Sequence, residues 1–369
     1  MRLLALAGVA LAACCATAAA SPPPVAAPAY FVRGPDAVVL AARAPDAARA
    51  PASITKLMTV LVALEHARLD ELVTVTPQAA GVGESTVRLR PGERMSVRDL
   101  SIAALVPSAN DAATALAVHV GRGSVSRFVA LMNAKARALG LTSTHFANPH
   151  GLDQAGHVSS ARDVTTLLAA ALRNPFIRTW STRSTATIAG GRALRSTDGL
   201  IGTLPLVGAK TGHTDAAGWS QVAAVERRGV RVTASLLGAS SEAQRNTDLA
   251  ALLAWGLSQY RPVKAIGGRV YGLAATGYGR PPVRLVALRE VVRNVRVDRP
   301  LVERVVVRSA LALPVVRGQR VGEVRVFAGG RLIARAPLIT AESVPAVGVP
   351  GKVAWYARRT AHHLVGLVS

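Results

Sequence analysis

Three short motifs in this 369-residue chain contain side chains suited to chemistry, and the first is Ser53-Ile54-Thr55-Lys56. Residues three apart on a helix lie on one face, so a helix that begins at Ser53 would place its hydroxyl beside the Lys56 ammonium. A serine needs a base to become a nucleophile, and a lysine desolvated in an apolar helix has a lowered pKa and can accept a proton. The backbone N–H of Ser53 would lie at the helix start, where an oxyanion can bind. Taken alone, the motif also fits a capping serine and a solvated lysine.

The second motif, Ser108-Ala109-Asn110, follows Val106-Pro107 and is predicted to lie in a loop between two helices. A hydroxyl can relay a proton, and the amide of Asn110 can donate to and accept from a peptide group of a substrate. Serine and asparagine before a helix are also common caps, so this motif by itself is a weak indication of chemistry.

The third motif is Lys210-Thr211-Gly212-His213-Thr214, ahead of a predicted strand. On an edge strand, Lys210 and Thr211 could hold an anionic carboxylate, and Gly212 would let a substrate backbone lie close. A polar turn between two strands is the alternative interpretation of these residues alone.

The elements that would position these motifs follow from hydrophobic periodicity. Apolar residues at a spacing near 3.6 predict helices, and alternating residues predict strands on both sides of the Arg228-Gly229 turn. Because strands occur at both ends of the segment with helices between them, we expect an α/β layer whose first and last strands share one sheet. The predicted helices cover residues 52–67, 100–106, 111–120, 124–139 and 162–172, and the predicted strands cover residues 38–42, 220–227 and 231–237.

The composition changes near residue 260. Short alternating runs rich in Val, Arg and Gly predict a small all-β domain over residues 262–345, after a main domain over residues 28–258. The final segment, residues 352–369, projects as a basic amphipathic helix with aromatic residues at its margins. This pattern is typical of a membrane surface anchor, and packing of the helix on its own β domain is the alternative.

The N-terminus is predicted to be an export signal. A short apolar run and small residues over positions 1–20 precede a proline-rich linker at 21–27, so we expect an extracytoplasmic location at the cell membrane or in the cell wall. Cys14 lies in a sequence similar to a lipoprotein signal and could instead be lipidated. The only two cysteines are Cys14 and Cys15, so the rest of the chain has no disulfide and no cysteine nucleophile.

Composition excludes several functional classes. Hydrophobic residues make up 50% of the chain, enough for a packed core, and aromatic residues only 4%, which argues against base stacking. The net charge of +23 therefore indicates anionic partners outside the cell, such as lipid headgroups, and no nucleic acid. The eight histidines form no His-Glu-x-x-His motif and no nucleotide-binding glycine motif occurs, so we expect neither a metal nor a cofactor.

The order and spacing of the motifs identify a family resemblance. Ser53-x-x-Lys56, Ser108-x-Asn110 and Lys210-Thr211-Gly212 occur in this order, separated by 55 and 102 residues. Together with the Phe146-Ala147-Asn148-Pro149-His150-Gly151-Leu152 segment, they resemble the low-molecular-mass penicillin-binding proteins, the serine-type D-alanyl-D-alanine carboxypeptidases. The resemblance covers residues 28–258 strongly and the β domain and tail more loosely.

This resemblance implies a β-lactamase-like transpeptidase fold, with an antiparallel sheet and a helical subdomain, that removes the terminal D-alanine from peptidoglycan stem pentapeptides and so regulates cross-linking and cell shape. It also implies penicillin binding. Ser53 would be the nucleophile, Lys56 its base and Ser108 a proton relay. The substrate-binding residues would be Asn110, Lys210, Thr211, Gly212 and His213, with the backbone N–H groups of Ser53 and His213 as the oxyanion hole.

Two alternatives remain from the sequence. The same residues would serve a D,D-endopeptidase that cleaves cross-links, and a non-catalytic wall-binding anchor could descend from such an enzyme. One departure from the family occurs upstream of Lys210, where many relatives have asparagines and this chain has Ser196-Thr197-Asp198-Gly199-Leu200. We expect this change to affect contacts of that loop and not the chemistry.

Overall fold

The computed structural model describes residues 20–365, so the predicted export signal and Cys14 lie outside the described residues. The chain divides after Ser258 into a unit of residues 21–258 and a unit that begins at Gln259. Residues 21–27, predicted to be a proline-rich linker, lie in the first unit. Val25 and Ala27 are buried, and the Ala26 N–H donates to Asp248, because an extended apolar segment fits the surface there.

The first unit contains nine strands and eight helices within its described residues. The strands are β1 Ala29–Arg33, β2 Val39–Arg43, β3 Leu72–Thr74, β4 Arg94–Ser96, β5 Thr185–Ile188, β6 Arg192–Arg195, β7 Leu206–Thr214, β8 Gly218–Arg227 and β9 Val230–Ala239. The helices are α1 Lys56–His66, α2 Pro77–Ala80, α3 Val97–Leu105, α4 Asn110–Val120, α5 Val125–Ala138, α6 Ala161–Ala171, α7 Pro175–Trp180 and α8 Glu242–Ser258.

The main sheet of this unit confirms the predicted fold class. Its five strands are all antiparallel in the order β2-β1-β9-β8-β7, so the first and last strands of the unit share one sheet. Both residues of the Arg228-Gly229 turn between β8 and β9 have positive φ, 52° and 75°, the geometry that two-residue hairpins favour. The third motif lies on β7, the edge strand, which leaves one side of its backbone open.

Helices α1, α3, α4 and α5 pack together in one core beside the sheet. Helices α6 and α8 lie on opposite faces of the sheet, since Ser235 of β9 contacts α6 and Val232 of β9 contacts α8. Phe128 and Met132 of α5 are fully buried among α1, α3 and α4, in a core that also contains Leu57 and Leu116. Asp111 at the start of α4 accepts backbone N–H groups of the 87–89 segment and fixes that segment to the helix.

Several elements differ from the sequence prediction, among them the helix of the first motif and α8. The expected helix over residues 52–67 is a 3-10 turn, Ala52–Thr55, followed by α1. The turn begins with the bond from the Ile54 N–H to the Pro51 carbonyl, which replaces the first α-helical bonds. Helix α8 was not predicted; it contains buried Leu249, Leu252 and Leu253 at helical spacing, and Gly256 near its end. This glycine allows close packing: a Cβ there would lie 2.6 Å from a methyl group of Val232.

The second unit is built mainly from strands, as predicted. Its elements are β10 Tyr260–Ile266, β11 Val270–Ala274, β12 Val283–Ala287, β13 Val291–Arg296, β14 Leu301–Val307, β15 Arg320–Ala328, β16 Arg331–Thr340 and helix α9 Val349–Val365. A five-stranded sheet runs β11-β12-β16-β15-β14, and β10 pairs with β13. Its core includes Val324, Val326, Ala336 and Leu338.

Helix α9 begins three residues earlier than the helix predicted over 352–369, and residues 366–369 lie outside the described part of the chain. Within residues 20–365, no helix is both long and apolar enough to cross a membrane.

Candidate active site

The first motif lies where the 3-10 turn meets α1, and it places a hydroxyl against an amine. The Nζ of Lys56 donates to the Oγ of Ser53 over 2.6 Å, as the three-residue spacing predicts. Ser53 is partly exposed, whereas Lys56 is completely buried at the first position of α1. The serine is therefore open to a substrate while its partner is shielded from water.

Burial changes the acid–base properties of Lys56. Desolvation, together with the nearby Lys210 ammonium, holds the pKa of Lys56 well below its usual value. The neutral amine can then accept the proton of the Ser53 hydroxyl, which is the step that converts a serine into a nucleophile.

A loop that the sequence could not place orients this lysine. The Nζ of Lys56 also donates to the His150 carbonyl over 2.7 Å. Asn148 shapes the loop: its amide oxygen accepts the Gly151 N–H at 2.7 Å, and its amide nitrogen donates to the Leu152 carbonyl at 2.9 Å. Gly151 has φ +94°, and a Cβ there would lie 2.0 Å from the Ala52 carbonyl oxygen, so the loop needs glycine to lie against the nucleophile turn.

Replacing Asn148 with alanine should therefore lower both stability and reactivity. The change leaves buried backbone groups of the loop unpaired, at about 2–3 kcal/mol of unfolding free energy, and frees the His150 carbonyl that holds Lys56. Thermal unfolding and the rate of labelling by a fluorescent penicillin measure the two effects. Gln154→Ala removes an exposed partner of Asn148 and is the control; an equal loss in both variants would contradict this role.

The second motif reaches the same place from the segment before α4. Ser108 is buried with φ +67°, and its Oγ accepts the Nζ of Lys210 at 2.8 Å. Asn110 is the first residue of α4; its amide nitrogen donates to the Gly83 carbonyl, while its buried Oδ1 has no partner among the described residues. An unpaired acceptor at this position is suited to an N–H group of a bound peptide.

The third motif lines the edge of the sheet beside Ser53. Lys210 is buried, and burial lowers its pKa to about 7. The hydroxyl of Thr211 lies 3.0 Å from that of Thr197, and the exposed His213 ring lies 4.2 Å from the Trp219 ring. A Cβ on Gly212 would lie 3.0 Å from the Ser53 backbone nitrogen, so glycine lets β7 approach the nucleophile.

The three motifs thus meet at one cavity of about 630 Å³. It also contains a cation that no motif predicted, Arg245 of α8. This residue is 1% exposed and bonded to Glu242 and to the side chain of Asn246, and its guanidinium lies 5.5 Å from the Trp219 ring centre. Among the residues that line the cavity are Ser53, Ser108, Asp198, Thr211, Gly212, His213 and Arg245.

The cavity is built for covalent chemistry by side chains. Across residues 20–365, no group of three or more His, Cys, Asp or Glu side chains could hold a metal ion. A nucleophile, a buried amine, a second hydroxyl bonded to a second lysine, and a cationic wall together suit acyl transfer to a serine from a substrate with a carboxylate.

Comparison with known proteins indicates the same kind of reaction. The family model of D-alanyl-D-alanine carboxypeptidases matches residues 16–241, more than half of the chain. The D-alanyl-D-alanine carboxypeptidase DacD of Salmonella typhimurium is 33% identical over 333 residues, 85% of each chain. A D-alanyl-D-alanine endopeptidase of Pseudomonas aeruginosa is 40% identical over 192 residues, 49% of this chain and 60% of the relative. The crystal structure of penicillin binding protein 5 from Haemophilus influenzae superposes with a TM-score of 0.64 and 28% identity, covering 89% of this chain and 100% of that chain.

Proposed function

Because this chain belongs to the D-alanyl-D-alanine carboxypeptidase family and is a serine-type peptidase, we propose that Ser53 is its nucleophile and that peptidoglycan stem pentapeptides are its substrates. The observation that supports this most is the pair of contacts at one cavity: Lys56 Nζ to Ser53 Oγ at 2.6 Å, and Lys210 Nζ to Ser108 Oγ at 2.8 Å. One lysine is set beside the attacking hydroxyl and the other beside a proton relay.

The acylation step follows from these contacts. Neutral Lys56 takes the proton of Ser53 as its oxygen attacks the carbonyl between the last two residues of the peptide. The backbone N–H groups of Ser53 and His213 stabilise the resulting oxyanion. When the C–N bond breaks, Ser108 passes a proton to the leaving D-alanine amine and is reprotonated by the Lys210 ammonium.

Deacylation and recognition use the remaining groups. Water attacks the acyl-enzyme and gives a proton through Ser108 to the now neutral Lys210. The bond between the acyl carbon and the Ser53 oxygen then breaks, the Lys56 ammonium returns its proton to that oxygen, and the shortened peptide leaves with a new carboxyl group. The unpaired Oδ1 of Asn110 accepts an amide N–H from the acyl side of the peptide. Thr211 binds the terminal carboxylate of the peptide. The Lys-Thr-Gly motif indicates Lys210 as the cation that also binds this carboxylate. We extend this assignment to Arg245, since Lys210 is engaged by Ser108 and by the Thr211 carbonyl.

The reaction is tested with two substrates. The purified chain is incubated with a pentapeptide that ends in D-alanyl-D-alanine, and separately with a cross-linked peptide dimer, and the products are weighed by mass spectrometry. Loss of one alanine from the pentapeptide supports the carboxypeptidase, and release of monomers from the dimer supports the endopeptidase. No reaction with either substrate would favour the non-catalytic anchor.

The pH dependence of peptide hydrolysis should show the protonation state of Lys210. Burial lowers the pKa of this lysine to about 7, so its ammonium loses a proton as the pH rises through that value. Because the charged form supplies the proton for the leaving group, we expect kcat/KM for the pentapeptide to fall above about pH 7. Lys210→Arg stays charged throughout but cannot give up its proton, so it should have a low kcat/KM at every pH and no decline near pH 7. A wild-type profile that is flat through neutral pH would refute the assignment.

We also propose that the chain is exported and that α9 attaches it to the extracytoplasmic face of the membrane. Val349, Val353 and Tyr356 of this helix are 74%, 62% and 57% exposed. Trp355 and Tyr356 also contact the Tyr278 ring, at centroid distances of 5.4 and 6.3 Å, so one side of the helix rests on its own unit. The remaining apolar surface supports a lipid contact beside basic residues.

Removing residues 349–369 should release the protein from membranes without changing hydrolysis of a soluble peptide. The expected result is a shift from the membrane pellet to the soluble fraction, because the exposed apolar and basic residues of α9 are lost together. Cys14→Ala with α9 intact is the control for lipidation. If the truncated chain still pellets and Cys14→Ala does not, the anchor is at the N-terminus.

A further inference from the structure

Three arginines lie in one row across the second unit. In the β14–β15 pair, Arg304 is directly opposite Arg325, and in the β15–β16 pair, Arg325 is directly opposite Arg335. All three side chains are exposed. Residues directly opposite on neighbouring strands have Cβ atoms about 5 Å apart, so the three guanidinium groups share one narrow strip, which we call the arginine row.

The charge of the arginine row is only partly compensated. Arg325 pairs with Glu323 on its own strand. Arg304 lies over the Phe327 ring, 5.0 Å from its centre, and Arg335 makes no side-chain hydrogen bond or ion pair among the described residues. Like charges directly opposite each other destabilise a sheet, so an anion bound over the row would remove an unfavourable interaction.

The row is flanked on both sides by apolar residues of the same face. Val302, Phe327 and Leu332 are aligned on one side, and Leu332 is 44% exposed. On the other side Val306, 53% exposed, lies opposite Glu323. The intervening residues of β15 and β16, including Val326 and Ala334, point into the core, so this face of the sheet is not the one covered by the unit itself.

We propose that this outer face of β14, β15 and β16 docks on an anionic lipid surface. The guanidinium groups would bind headgroup phosphates, and the flanking valine, leucine and phenylalanine side chains would lie at the boundary with the acyl chains. A soluble polyanion would use the arginines alone and leave the apolar flanks in water. The surface is separate from α9 in sequence and adds a second contact to the same unit.

Vesicle binding of the full-length chain tests the surface. Arg304→Gln with Arg335→Gln removes the two arginines that have no carboxylate partner, and leaves α9 intact. Arg289→Gln with Arg317→Gln removes the same charge from two other exposed positions whose side chains make no hydrogen bond or ion pair among the described residues, and is the matched control. We expect about fivefold weaker binding per row arginine, roughly twenty-fivefold in total, to vesicles of phosphatidylglycerol and phosphatidylcholine. Vesicle binding by the control variant should fall by far less. The two variants should bind equally to vesicles of phosphatidylcholine alone.

Two further measurements separate an effect on lipid binding from an effect on catalysis or stability. Hydrolysis of a soluble pentapeptide should be unchanged in both variants, which separates this surface from the active site. Without lipid, the melting temperature of the Arg304/Arg335 variant should not fall, because the substitution relieves repulsion across the strands. Equal vesicle binding by the two variants would overturn the proposal. So would loss of binding to soluble polyphosphate without loss of binding to vesicles, which would assign the row to a polymer.

Discussion

Replacing Ser53 with alanine should abolish both hydrolysis of the pentapeptide and covalent labelling by a fluorescent penicillin. The substitution removes the hydroxyl that we propose forms the acyl-enzyme, and losses of a serine nucleophile reduce kcat by about 10⁴-fold or more. Ser53 is partly exposed and its Oγ is hydrogen-bonded to Lys56, so loss of the hydroxyl should leave the fold unchanged. A gel-based labelling assay and mass spectrometry of the intact protein measure the effect.

The control for this variant is Ser126→Ala, which removes an exposed hydroxyl on α5. It should label at the wild-type rate. Penicillin that remains covalently bound to the Ser53→Ala variant would show that another residue is acylated, and the mechanism above would then be wrong. Peptide mapping of the labelled wild type should place the adduct on the tryptic fragment that contains Ser53.

The second large effect is expected for Lys56→Met. Methionine fills a similar buried volume but cannot accept a proton, so the acylation rate should fall by about 10³-fold, within the range for loss of a general base. Stability should change little or rise, since the substitution removes a buried amine whose pKa burial already holds far below normal. Stopped-flow acylation and thermal unfolding separate these two quantities.

Two other substitutions test whether Lys56 acts as a base or through its charge. Lys56→Arg retains a positive charge that cannot be neutralised, so it should be as inactive as Lys56→Met although it preserves a donor. Lys135→Met removes a lysine that pairs with Glu65 away from the cavity and should acylate normally. Wild-type acylation by Lys56→Arg would mean that the lysine acts through its charge and not as a base.

Local sequence patterns predicted the position of an element correctly where that element packs in the way its periodicity implies. The hairpin of β8 and β9, and helices α4 and α5, lie within a few residues of their predicted ranges. The Lys210 motif lies on the edge strand β7, which is the first of the two arrangements that the sequence left open, and not in a polar turn. Helix α8 was missed although Leu249, Leu252 and Leu253 have helical spacing in the sequence.

Some contacts in the cavity could likewise be predicted from the sequence, and others could not. The contact between Ser53 and Lys56 follows from three residues of spacing, so it could be predicted from the sequence. The role of Arg245 could not, because it depends on where α8 crosses the sheet, and no local pattern distinguishes it from other arginines. The His150 carbonyl is likewise a backbone atom, whose position depends on the fold of a loop and not on its side chain.

By itself, the sequence determined which reactive groups exist and which of them are neighbours, since short spacings on a helix or strand fix relative positions over a few ångströms. Only the tertiary structure decided the protonation states and the shape of the cavity. Lys56 and Lys210 have lowered pKa values because distant segments bury them and bring their charges together. Desolvation depends on all surrounding atoms, and those atoms come from helices, loops and strands far apart in the chain.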